Sequence, residues 1–184
     1  MSFLINPFAF AVAGGDFEAI GTVTVGSGGA SSIEFTSIPS TYQHLQIRGI
    51  SRATTNSSGG ALLIRLNGDT GANYSAHGLY GDGSSAGAFG AANTTHSGSM
   101  FIAGNAATAS VFGGIVVDIL DYATTTKNKT VRLLSGSDNN GAGQLRLASG
   151  SLRSTSAITS ITLIDANSDN FVQHSTFSLY GIKA

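Results

Sequence analysis

The sequence predicts an all-β fold, an antiparallel two-sheet β-sandwich that is jelly-roll-like. Three observations predict it. Apolar residues recur with period two in short runs, clusters of Gly, Ser, Asn and Asp cut those runs, and helical periodicity is almost absent. With 184 residues the chain is long enough to bury a real core, and one domain is the natural reading. Gly, Ser, Ala, Thr and Asn make up 102 of those residues, so much of the surface must be small and neutral.

The first fourteen residues do not read as strand. Phe3, Leu4, Ile5, Phe8 and Phe10 give an extended apolar N-terminal arm, residues 1–14, ahead of a single sandwich domain, residues 15–184. An apolar patch of that kind is expected to dock on another subunit or a partner protein, with those five side chains as the contacts, the alternative being that it packs over the end of its own sandwich.

Strands follow at Ile20–Val25, Ser32–Thr36, His44–Arg52 and Ala61–Asn67. Successive side chains alternate across a strand, so Leu45 and Ile47 share a core face opposite Gln46 and Arg48. Likewise Leu62, Ile64 and Leu66 lie opposite Arg65. The stretch Gly81–Ser99 is nearly all small residues and reads as a long exposed loop that orders on contact with a neighbour. Further strands are expected at Met100–Ala103, Val111–Leu120, Thr130–Leu134, Gln144–Ala148, Ile158–Asp165 and Phe171–Gly181. In these, Leu145 and Leu147 are expected inside with Gln144 and Arg146 outside, and Ile161 and Leu163 inside opposite Thr162. Asn67–Asp69, Ser135–Gly141 and Asp165–Asn170 tolerate positive φ and read as hairpin tips.

Charge narrows the partners. Nine cations against ten anions give a net charge of -1, and no block of like charge supplies the footprint of a nucleic-acid binder. No apolar run approaches the ~20 residues a membrane helix needs. The opening Met1–Phe10 lacks the positive region of an export signal. Without cysteine there is no disulfide, thiolate metal site or thiol nucleophile.

No motif makes a convincing catalytic or metal site, and no cofactor is implied. Gly83-Ser84-Ser85-Ala86-Gly87 fits a nucleophile elbow, but that motif needs a strand before it and a helix after it, and neither is expected here. Asp165, Asn167 and Asp169 match the start of a calcium loop, whose later positions are wrong: Asn170 stands where Gly belongs and Thr176 where Glu belongs. The four histidines, His44, His77, His96 and His174, show no metal-ligand spacing. Asp118 and Asp121 read as a strand end rather than an acid-base pair.

The run Gly26-Ser27-Gly28-Gly29-Ala30-Ser31-Ser32-Ile33-Glu34-Phe35-Thr36-Ser37-Ile38-Pro39-Ser40-Thr41-Tyr42-Gln43-His44-Leu45-Gln46-Ile47-Arg48 resembles a family of phage virion structural proteins. That family, frequent in marine and cyanobacterial phages, is commonly described as tail-fibre-like. Arg65–Ser75, the closing Ser175–Ile182 and the opening Ile5-Asn6-Pro7-Phe8 are similar to it too. The resemblance implies a non-enzymatic virion part made in the host cytoplasm, and a β-sandwich present in repeated copies. The expected role is a tail fibre or tail-tip module docked through the arm, as a homotrimer with outer-face Thr, Ser and Leu between subunits. The alternatives are a trimeric capsid decoration protein and a module that binds host surface glycan. The lack of Trp disfavours the last.

Overall fold

A computed structural model describes residues 15–183. The arm and its five docking side chains lie outside the described residues. Twelve strands form two antiparallel sheets, with no helix among the described residues. They are β1 (Phe17–Thr24), β2 (Ser32–Phe35), β3 (His44–Ser51), β4 (Gly59–Leu66), β5 (Tyr74–Gly81) and β6 (Ala86–Thr94). Then come β7 (Ser97–Ala103), β8 (Gly113–Leu120), β9 (Lys129–Asn139), β10 (Ala142–Leu152), β11 (Ile161–Asp165) and β12 (Thr176–Ile182).

The large sheet runs β1-β12-β3-β8-β9-β10-β5-β6 and the small one β2-β11-β4-β7. Two parts can be read in that order. The quartets β1-β12-β3-β8 and β2-β11-β4-β7 are the paired sheets of an eight-stranded jelly roll. The hairpins β5–β6 and β9–β10 are additions to it. They join side by side on the β8 edge and double the width of one sheet only.

The alternating positions meet between the sheets. Leu45 and Ile47, Leu62, Ile64 and Leu66, Ile115, Val117 and Ile119, and Ile161 and Leu163 are all buried. Phe171 packs edge-on against Phe177 with ring centroids 5.3 Å apart. Arg52, Lys129, Tyr74 and Asp165 are among the polar side chains buried with it. The Arg52 guanidinium donates to the carbonyls of Asn105, Ala107, Thr108 and Val111 at 2.7–3.1 Å. The Lys129 ammonium donates to the carbonyls of Thr124, Lys127 and Thr155, and burial lowers its pKa. The Tyr74 hydroxyl ties the β4–β5 connection, and the Asp165 carboxylate closes the turn after β11.

Several expectations are corrected. Gly81–Ser99 is not a loop but carries β6 and the start of β7. Its Ala and Gly residues satisfy their backbone through pairing with β5, where small side chains are no obstacle. The strand Tyr74–Gly81 was not expected at all. Asn67–Asp69 and Asp165–Asn170 are not hairpin tips, because each connects one sheet to the other. Only the third tip is a hairpin, and it is shorter than expected: β9 continues to Asn139, leaving Asn140 (φ 56°) and Gly141 (φ 93°) to make the reversal.

The inward face of β10 is also reversed. Leu145 and Leu147 point outward, while Gln144 and Arg146 join the face that carries buried Ala148 and Leu152. Alternation defines two faces without saying which is inside, and a one-residue change of register exchanges them. Arg146 lies over the Phe101 ring at 5.5 Å and donates to Ser99 Oγ at 2.7 Å, so β7 covers it.

Candidate interaction surface

The pairing registers place the outward side chains of the large sheet in rows that cross the strands. One row, from β12 to β6, reads Thr176, Ile50, Gly114, Gly136, Leu145, Gly81, Ala86. The next reads Ser178, Arg48, Val116, Leu134, Leu147, Leu79, Ala88. The third reads Tyr180, Gln46, Asp118, Arg132, Ser149, His77, Gly90. Two apolar rows therefore lie beside a polar one.

Ile50, Leu79, Leu134, Leu145 and Leu147 are 45–61% exposed. Burying a Leu or Ile contributes roughly 1.5–3 kcal/mol, so five adjacent side chains forgo a large gain while they face water. Four of the five sit on the added hairpins, not on the jelly roll. Scattered apolar residues on a surface mean little, but a contiguous patch on one face marks an interaction site.

The first row is also hollow. Gly114 and Gly136 provide no side chains between Ile50 and Leu145, nor does Gly81 beyond Leu145, and the result is a shallow trough of about 1110 Å³. A smaller depression of about 470 Å³ continues over Leu79, Ala88 and Leu147. Gly136 is required by its own hairpin, since a Cβ there would sit 2.8 Å from the Gln144 carbonyl oxygen. Gly114 is different: a Cβ there would meet nothing within 4 Å. The monomer's packing gives no reason for glycine in the middle of this sheet, where it weakens a strand and commonly marks the close approach of another backbone.

The polar row is internally satisfied. Asp118 Oδ1 accepts from Gln46 Nε2 at 2.7 Å, and Oδ2 accepts from Arg132 Nε at 3.0 Å and Nη2 at 2.7 Å. The carboxylates at the trough's open end are likewise occupied. Asp138 accepts from the Gly141 amide, and Asp82 accepts from the amides and hydroxyls of Ser84 and Ser85, which hold its pKa well below the carboxylate range. Arg48, which interrupts the second row and lines the trough, donates to Gln46 Oε1 at 2.7 Å and lies over the Phe17 ring, with no carboxylate in salt-bridge distance among the described residues. This face thus offers a largely apolar surface on which Arg48 is the cation without an ion-pair partner among the residues of these rows.

The remaining candidates fall elsewhere. Gly83–Ser85 lies in the β5–β6 turn and Ala86-Gly87 opens β6: a strand does precede the motif, contrary to expectation, but a strand rather than a helix follows. Asp165 turns inward to Thr55 and to the amides of Asn167 and Asp169. No cluster of three potential metal ligands occurs among the described residues. Asp118 lies within β8 and Asp121 just after it, where Gln43 and Lys127 bind the latter and lower its pKa.

His96 lies just before β7, and its Nδ1 is 3.1 Å from the Gly98 carbonyl oxygen. Burial, more than any nearby charge, holds its pKa below the usual 6.5, and Arg65 opposes protonation as well. As pH falls below 6.5 the unfolded chain takes up the proton first, so stability drops on acidification. Melting curves from pH 7.5 to 5 are expected to fall more steeply for the native chain than for His96→Gln. Parallel curves would exclude His96 as a contributor.

Compared with protein-family models, with curated proteins and with solved structures, this chain matches none.

Proposed function

We propose that this chain is a non-enzymatic structural protein of a phage virion, an assembly module that buries the outer face of its widened sheet against a neighbour. The observation that carries this reading is the contiguous apolar trough on the added hairpins, beside a row whose charges are already paired. The resemblance of Gly26–Arg48, Arg65–Ser75 and Ser175–Ile182 to phage virion proteins supports the setting. By analogy of fold alone, jelly rolls recur in viral capsid and lectin domains. Within the virion, the reading is a homotrimeric tail fibre or tail-tip module.

Quantitative mass spectrometry of purified particles of the encoding phage tests this. The expected result is a few copies of the chain per hundred major capsid subunits. A ratio near one per capsid subunit overturns the tail location in favour of capsid decoration. Absence from the particle overturns the virion role itself.

A further inference from the structure

We propose that the trough on the large sheet receives residues 1–14 of a neighbouring copy of this chain, so that copies join by exchanging apolar arms. The proposal rests on the assembly reading above and names the occupant of that face. Three observations support it.

The first is chemical match. Residues 1–14 carry no charged side chain, and ten of the fourteen are apolar. The trough they meet is walled by Ile50 and Leu145 and floored by Val116, Leu134 and glycine, with Arg48, Asp82 and Asp138 also in its lining. The arm's last part, Phe8-Ala9-Phe10-Ala11-Val12-Ala13, alternates bulky and small residues. Held extended, it presents Phe8, Phe10 and Val12 on one side at a spacing of ~7 Å, and alanine on the other.

The second is the hollow itself. A Cβ at Gly114 would meet nothing, and one at Gly81 would meet only the Ser85 carbonyl at 3.9 Å. Side chains at these places would be compatible with the isolated fold, but they would fill the space that aromatic rings from an incoming strand require.

The third is direction. β1 enters the sheet at Phe17, which pairs with Ile182, and runs toward Thr24, which pairs with Thr176 beside the trough. The Lys183 amide donates to the Asp16 carbonyl at 2.8 Å, extending the ladder one residue before β1. The start of β1 therefore lies at the end of the strand remote from the trough. Fourteen extended residues reach at most ~50 Å, enough for a neighbour. From the start of β1 an arm would have to run back along the length of that strand to reach its own trough. Exchange in one rotational sense is a heterologous contact, and it closes into a ring such as a trimer when the rotation permits.

The absence of cysteine makes the test clean. Chains carrying Val12→Cys, on the side of the extended arm that faces the trough, are mixed with chains carrying Thr176→Cys and oxidised, and association is followed by sedimentation. The expected result is a mixed disulfide dimer within a discrete oligomer. Full-length Gly114→Phe should keep the native melting temperature while its self-association weakens at least tenfold. Deletion of residues 1–14 should have the same effect. An oligomer that survives the deletion, without the mixed disulfide, would overturn the proposal in favour of direct face-to-face stacking. A monomeric native chain, with an intramolecular disulfide in the Val12→Cys/Thr176→Cys double variant, would overturn it in favour of an arm folded on its own sheet. Either failure leaves the particle measurement above to decide the virion role independently.

Discussion

Arg52→Met is expected to lower the stability of the fold by about 2–4 kcal/mol, through buried carbonyls left without donors. Arg52 is only 9% exposed, and no carboxylate lies within salt-bridge distance of it among the described residues. Its charge is held by four carbonyl oxygens, all on the connection between β7 and β8. That connection crosses from the small sheet to the large one, and Arg52 organises it from beneath. Met fills similar space but donates nothing. Arg52→Lys should recover only part of the loss, since an ammonium has three donors and no planar fork. Urea unfolding checks this. A midpoint unchanged in Arg52→Met would show that water satisfies those carbonyls equally well.

Tyr74 gives a graded prediction. Its ring is fully buried, and its hydroxyl accepts from the Leu66 amide at 3.1 Å and lies 3.1 Å from the Asp69 carbonyl, to which it donates. Tyr74→Phe keeps the ring and leaves these groups unpaired, with an expected loss of about 1–2 kcal/mol. Tyr74→Ala also opens a cavity, and the expected loss rises to about 3–5 kcal/mol. Equal losses in the two variants would mean that the hydroxyl carries the whole effect. No loss in Tyr74→Phe would mean that it carries none.

Both residues show where sequence reading stops. Tyr74 begins a strand, Tyr74-Ser75-Ala76-His77-Gly78-Leu79-Tyr80, whose alternation is diluted by Gly, Ala and His. Ala86–Thr94 has almost no apolar contrast. It becomes a strand because β5 offers it a free edge to pair with. Arg52 carries no local sign of burial, because its four acceptors lie more than fifty residues away. The interaction surface was half legible. Leu145 and Leu147 stood out as a pair on one face, yet the expected face was the wrong one. The glycines stood out as a composition, but not as the floor of a trough.

What the sequence determined by itself was the local pattern. Period-two alternation in Leu62-Leu63-Ile64-Arg65-Leu66 and in His44-Leu45-Gln46-Ile47 required strands with one apolar face, and the turn residues between runs required many short ones. From these an all-β sandwich follows. The tertiary structure alone decided how the added hairpins attach and which way they face. Once β9–β10 and β5–β6 joined the β8 edge, the register with β8 committed Val131, Leu133 and Ala148 to the interior and left Leu134, Leu145, Leu147 and Leu79 in water. Alternation is symmetric between two faces. Only packing against a second layer breaks that symmetry, and it left the second apolar face of the added hairpins in water.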